Sequence, residues 1–529
     1  MIFHRRTFLK QLGLGVGTLG FVSLAPRAFA NGVLFGSKLP RSAPEAQGVK
    51  SEGILDFLRA LEASKHEFHS LVMVRHGYVI AEGWWAPYQA ELNHMLYSLS
   101  KSFTSTAVGL ARTEGKLTVN DPVISFFPDK LPDSISDNLR ALKIKDLLTM
   151  SVGHAQDSTP TITKQEDWVK AFLALPIPNQ PGTAFLYNSG ATYILSAIVQ
   201  KVTGQKVIDY LTPRLFEPLK IEHMTWETCP LGINTGGWGL SLRTENLAKF
   251  GQLYLQKGSW NGGQILPTDW VEEATSFKIQ QPGTDLEKLK KESDWHQGYC
   301  YQFWRCRHNA FRGDGAFGQY TIVIPDQDAV IAITSESPSM QGEMNLIWEH
   351  LWPAIEAQTL PANKKTAAEL NQKLGALTLS PPKGQLSSPT AGRISNRPFA
   401  VGENALDVQS ALFEFGKSDC VFTVRGPRGS HRITCGLEQW IQGETTMPGT
   451  PPKLTVGPTN GGSKIAASGT WRDDQTFEMI WRFIETPHHD TVTCRFDGDE
   501  IKVEITNSIA QLSSTHKETP PTFQGKLQA

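Results

Sequence analysis

The common protein metal signatures are missing from this 529-residue chain: there is no Cys-x-x-Cys pair, no His-Glu-x-x-His and no cluster of Cys with His. Neither charge sign is in excess. Lys and Arg number 51 against 52 Asp and Glu, a net charge of −1, which gives no support for binding nucleic acid or an acidic surface. Beyond the first thirty residues no apolar run reaches the ~18 residues that a membrane span needs, so no stable membrane insertion is expected of the mature chain. No internal repeat is evident. The absence of Gly-x-Ser-x-Gly disfavours the strand-to-helix nucleophile turn of the α/β-hydrolases.

What is present begins with an address. "HRRTFLKQLGLGVGTLGFVSLAPRAFA" pairs Arg5 with Arg6, continues through Phe8, Leu9 and Lys10 into a Gly-rich apolar run, and ends on Ala28-Phe29-Ala30, an A-x-A cleavage site. It resembles a bacterial twin-arginine export signal, so residues 1–30 are set aside and a periplasmic or secreted protein is expected. Six cysteines remain. Cys420 and Cys435 flank "RGPRGS" almost symmetrically, so a tight hairpin would set them opposite each other. A chain that folds in a reducing cytoplasm before export should not depend on disulfides. His488 and His489, in "ETPHHDT", read as a solvated pair in a turn.

Residues 31–360 have mixed α and β character. "SLVMVRHGYVIAEGWWAP" predicts two strands about a His76-Gly77 turn, and "YILSAIVQKVTG" and "TENLAKFGQLYLQKG" predict helices stopped by Gly204 and Gly258. "GQYTIVIPDQDAVIAITS" returns to strands. Strands at both ends with helices between predict an α+β fold, an antiparallel sheet flanked by helices. Pro, Ser and Gly density over 361–398 marks a linker. Short alternating runs over 399–525 predict a C-terminal all-β barrel or sandwich.

The chemistry is concentrated in "YSLSKSFTSTAVGLARTEGKL". Leu99, Phe103, Ala107 and Leu110 recur at helical spacing, while Ser98, Lys101, Ser102, Ser105 and Gly109 form a stripe of small groups with one cation. A serine with a lysine at i+3 places both on one helix face. The amine, its pKa lowered by burial, can take the proton that keeps a serine hydroxyl from being a nucleophile.

These residues, with several later blocks in order, resemble the serine β-lactamase and penicillin-recognising family, in its class C-like branch of esterases, D-peptidases and 6-aminohexanoate-dimer hydrolases. The blocks are "YSLSKSFTSTAVGLARTEGKLTVNDPVISFFP", "IKDLLTMSVGH", "PGTAFLYNSGATYILSAIVQKVTG", "GGWGLSLRTENLAKFGQLYLQKGSWNGGQIL" and "GAFGQYTIVIPDQDAVIAITS". The resemblance covers about 40–355 and implies a β-lactamase/transpeptidase-like fold with Ser98 as the acylated nucleophile, Lys101 as its partner and Tyr187 as general base. Where the family often has asparagine two residues after that tyrosine, this chain has Ser189, with Asn188 one position earlier. In place of Lys-Thr-Gly stands "FRGDGAFGQY". There Gly313 would let the strand approach substrate closely, a backbone N–H near Asp314 would complete the oxyanion hole with that of Ser98, and Arg312 would grip a substrate carboxylate. The lost Lys-Thr-Gly weakens the case for β-lactam hydrolysis.

The resemblance thus implies a serine acyl hydrolase acting on an ester or amide bond of a small molecule or peptide, with no metal or organic cofactor. The alternative is a catalytically spent relative used as a binding or scaffolding module. The sequence selects no oligomeric state.

Overall fold

"SLVMVR" is apolar at nearly every position, and a strand of that kind needs cover on both faces. In the computed structural model, which describes residues 33–447, 462–512 and 520–528, it is the centre of β1 (Glu67–Arg75). The expected export signal lies outside the described residues. β1 joins β2 (Tyr78–Trp84) through the His76-Gly77 turn, as the sequence predicts. Four further strands complete an antiparallel sheet: β3 (Trp304–Arg305), β4 (Phe311–Gly315), β5 (Gln319–Ile324) and β6 (Ala329–Glu336), in the order β2-β1-β6-β5-β4-β3.

Successive side chains of a strand leave on opposite faces, and here each face has its own core. Leu71 and Met73 of β1, with Ile331 and Ile333 of β6, pack on α1 (Ser51–Glu62) through Ile54, Leu55, Phe57, Leu58 and Leu61. Val72, Val74, Val330 and Ala332 face the larger core. That core is built on α2 (Ser100–Thr113), α3 (Ser189–Thr203) and α4 (Thr244–Leu255). α3 ends at Gly204, whose φ of 72° is the left-handed conformation a glycine cap supplies.

The stretch 361–398 differs from the linker its composition suggested. It carries α5 (Lys364–Gly375) and a short helix, Pro389–Ile394. Leu370, Leu374 and Leu377, at spacings of four and three, form an apolar edge against the α1 side of the sheet. Arg59 pairs with Glu369 and Lys373 with Glu62. Further on, Gln385 bridges to Trp471, and Ile394 sits in the core of the β region. The prolines shape a docked connection.

Among the described residues ten strands follow, from Phe399–Val401 to Thr522–Leu527. The first pairs with the last, and Gly429–Leu437 meets Ser463–Trp471 in parallel through Gly436 and Leu437, so nine strands close a ring. Ile441–Thr445 is a tenth strand, paired with Ser463–Trp471. Closure removes exposed strand edges, and Phe413, Phe422, Trp471, Phe477 and Phe496 fill the interior. Cys420 stands opposite Cys435, as the hairpin spacing implied, and all six cysteines are buried free thiols.

The barrel is joined to the helical part by specific bonds. Met95 N donates to Glu485 O (2.9 Å), the Tyr88 hydroxyl to Thr486 O (3.1 Å) and Trp440 Nε1 to Leu379 O (2.7 Å). Arg482 grips both carboxylate oxygens of Glu67, at 2.6 and 2.9 Å. The His488-His489 reading needs correction at this junction. His488 is fully buried and His489 largely so, because the turn ahead of strand His489–Asp497 is pressed against the end of β6.

Candidate active site

Every residue of α2 from Ser100 to Ala111 is buried. Leu99, Phe103, Ala107 and Leu110 enter the core as their spacing predicts. The opposite stripe is covered too. Ser102 Oγ donates to Gln302 O (2.8 Å), and Gly109 lies so close to Trp270 that a Cβ there would fall 2.3 Å from the indole. The reactive part of the stripe is therefore its N-terminal end.

Ser98 sits in a single 3₁₀ turn, Tyr97–Leu99, ahead of α2, and is partly accessible. Tyr97 has φ +49°, a left-handed conformation that costs a side-chain-bearing residue about 1–2 kcal/mol. Ser100 Oγ donates to Tyr97 O (2.7 Å), and the Tyr97 hydroxyl lies 2.6 Å from His488 Nε2. Lys101 Nζ is 2.8 Å from Ser98 Oγ, 2.9 Å from Ser189 Oγ and 2.7 Å from the carbonyl oxygen of Gly237. All three partners are neutral. Burial lowers the Lys101 amine to about 7, against the opposing pull of Asp157 and Asp314 acting through space.

Tyr187 stands over the Lys101 amine, which is itself bonded to Ser98, although 86 positions separate Lys101 from Tyr187. Its ring stacks on Trp304 (5.7 Å, 22°) and lies 4.8 Å from Lys101 Nζ. Burial raises its hydroxyl well above the usual tyrosine range, and Asp314 adds to this, with the neighbouring Ser98 hydroxyl opposing.

The one-residue shift at Ser189 now has a structural explanation. Asn188 is the N-cap of α3: its Oδ1 accepts from Ala191 N and from Ser158 Oγ, and its Nδ2 meets His154 Nδ1 at 3.0 Å. The amide is occupied in holding the loop, and the serine one position on faces Lys101. Ser189 N donates to Asp157 Oδ1 (3.1 Å), which sets a carboxylate at the positive end of that helix.

β4 runs past the start of α2, and its Gly313 faces that helix. A Cβ on Gly313 would lie 2.6 Å from Ser102 Oγ, and one on Gly315 only 2.0 Å from Leu96 O. Asp314, between them, acts electrostatically on both Lys101 and Tyr187. Arg312 is placed differently from the expectation. Its side chain is wholly buried, with Nε 3.0 Å from Asp314 Oδ2, Nη1 2.9 Å from Asp294 O and the guanidinium 4.2 Å from the Trp295 ring. The fork expected to grip a substrate carboxylate is engaged inside the wall, because a buried guanidinium requires an anion of its own.

Sequence reasoning missed Gly237, Asp157, Trp304 and His488. A backbone carbonyl has no side-chain signature, and the others reach the site from loops and strands that no periodicity connects to Ser98. One further cluster is satisfied internally. Glu67, Glu336 and His489 bring ligand-type atoms within 4.8 Å of one another, but Arg482 occupies Glu67, and Ser508 with His488 occupies Glu336.

A partly accessible serine bonded to a buried amine of lowered pKa, with a tyrosine ring over that amine and a strand thinned by glycine alongside, defines a serine acyl hydrolase site. The chain belongs to the β-lactamase family, whose model matches residues 61–352. The 6-aminohexanoate-dimer hydrolase of Paenarthrobacter ureafaciens is 27% identical over 290 residues, covering 51% of this chain and 72% of its own. The teichoic acid D-alanine hydrolase of Staphylococcus aureus (strain NCTC 8325 / PS 47) is 24% identical over 285 residues, covering 51% and 68%. Among solved structures, the octameric penicillin-binding protein homologue of Pyrococcus abyssi aligns with 89% of this chain and 99% of its own, at 13% identity and a TM-score of 0.47. The protein is a serine hydrolase of the esterase or amidase type.

Proposed function

We propose that the protein is an exported acyl hydrolase that cleaves an ester or amide bond of a small molecule or short peptide through an acyl-Ser98 intermediate. One observation carries this: Lys101 Nζ lies 2.8 Å from Ser98 Oγ with only neutral hydrogen-bond partners and its pKa lowered to about 7. A neutral amine donates its two hydrogens to Ser189 Oγ and Gly237 O, leaving its lone pair for the Ser98 proton. Ser98 Oγ then attacks the carbonyl carbon, and the oxyanion is received by the Ser98 N–H and a strand N–H near Asp314. Tyr187, kept protonated by burial, acts here as the acid and not as the general base that the resemblance implied: it hands its proton to the leaving alcohol or amine and is reprotonated from Lys101. Water attacks the acyl carbonyl in the second half and releases the acid.

The two related hydrolases act, by their names, on an aminohexanoate dimer and on teichoic acid D-alanine. They support acyl-group hydrolysis without deciding between amide and ester or fixing the size of the substrate. Intact-mass measurement after treatment with a fluorophosphonate should show one adduct, located on Ser98 and absent from Ser98→Ala. A Ser98→Ala protein that keeps full hydrolytic activity overturns the reading. p-Nitrophenyl esters, D-amino-acid amides and a chromogenic cephalosporin sort the bond cleaved. Export rests on Arg5-Arg6 and the apolar run after it. Replacing both arginines by lysine should leave the precursor in the cytoplasm, and unchanged processing would point to another route.

A further inference from the structure

We propose that the C-terminal barrel supplies a positioning residue to the active site: His488 holds Tyr97, and through it the turn that presents Ser98. The inference rests on Ser98 being the acylated nucleophile. Glu336, the last residue of β6, accepts from His488 Nδ1 at 2.5 Å and from Ser508 Oγ at 2.5 Å. With Nδ1–H turned to the carboxylate, Nε2 is the acceptor, and the Tyr97 hydroxyl donates to it at 2.6 Å. A carboxylate–imidazole–phenol chain thus runs from the central sheet, through a barrel residue, to the residue preceding the nucleophile.

Tyr97 is held on its other sides as well. Phe317 lies 5.5 Å from the Tyr97 ring and meets His488 edge-on at 4.7 Å. β4 approaches so closely that a Cβ on Gly315 would fall 3.1 Å from Tyr97 Cβ. Met95 N, two residues earlier, donates to Glu485 O of the same barrel turn. A left-handed tyrosine persists only where its surroundings over-determine it, and one of its fixed points here belongs to the barrel. His488 acts on the reaction only through Tyr97.

The test is the rate of acylation of the full-length protein by a fluorophosphonate, in wild type, Tyr97→Phe, His488→Leu, His488→Gln and the Tyr97→Phe/His488→Leu double variant. Wild type should label once, on Ser98. Tyr97→Phe and His488→Leu should each slow maximal acylation about 10- to 100-fold with the half-saturating probe concentration unchanged. The double variant should be no slower than the worse single one, since both remove the same bond. His488→Gln, whose amide oxygen can still accept from Tyr97, should recover much of the rate. Wild-type rates in both single variants, or losses that multiply in the double, overturn the proposal while leaving the acyl-enzyme intact. An unlabelled wild type overturns the acyl-enzyme and this proposal with it. Should His488→Leu lose its thermal unfolding transition, Tyr97→Phe, which removes one oxygen, decides alone.

Discussion

Lys101 illustrates how burial turns an ordinary side chain into a reagent. Its amine is taken from water by the packing of α2, and its nearest partners are two hydroxyls and a carbonyl. The ammonium form loses solvation without gaining a contacting anion, so the neutral form is populated near pH 7. The sign follows directly. Below about 7 the amine is protonated and cannot accept from Ser98, so kcat/KM should fall on the acid side with an apparent pKa near that value. Lys101→Ala should lower kcat/KM by about 10²–10⁴-fold and flatten that limb of the profile. Lys101→Arg should be equally inactive, because a guanidinium keeps its proton at any working pH.

The strand beside the nucleophile is fitted to the helix through the absence of side chains. Gly313 faces a serine hydroxyl, which has some freedom to yield, whereas Gly315 faces the backbone carbonyl of Leu96. Gly315→Ala must therefore push β4 away from the serine turn, and overpacking of this kind costs about 1–3 kcal/mol. Urea unfolding should show that loss, together with slowed Ser98 acylation, and Gly313→Ala should be milder on both counts. The helix that builds the site was legible in the 4-4-3 spacing of Leu99, Phe103, Ala107 and Leu110, whereas the strand's place beside it came only from the resemblance that sets "FRGDG" where the family has Lys-Thr-Gly. Arg312 was misjudged because a residue type suited to gripping carboxylates is equally suited to an internal ion pair. Only burial tells the two apart.

The barrel and the helical part are bound through charged and polar groups that a merely tethered module would leave in water. Arg482→Ala removes the partner of Glu67, a carboxylate with 27% of its side chain exposed. The expected loss is about 2–3 kcal/mol, below the ~3–5 of a fully buried pair, read as a lower urea midpoint. Glu336 adds an acid-sensitive contact. Burial would raise its carboxyl, but hydrogen bonds from His488 and His489 outweigh that and hold it at about 2. A depressed carboxyl stabilises the fold above its ordinary pKa near 4.5, and the contribution is lost as pH falls towards 2. It amounts to about 3 kcal/mol, and Glu336→Gln should remove that part of the pH dependence of unfolding. The docked segment 361–398 also predicts that limited proteolysis will not favour 380–398 and that calorimetry will show one cooperative transition.

Local chemistry wrote much of this protein openly. The alternating and continuous apolar runs specify strands with one or two buried faces, and Ser98 with Lys101 at i+3 share a face wherever a helical turn joins them. Tyr187 was visible only through resemblance, since nothing local ties a tyrosine to a serine 89 positions earlier. What remained hidden depends on which surfaces meet. The burial that lowers Lys101, the inward turn of Arg312, the docking of α5 and the contact of His488 with Tyr97 are made by residues up to 391 positions apart. Burial and long-range hydrogen bonding are properties of the assembled chain, and no window of sequence contains them.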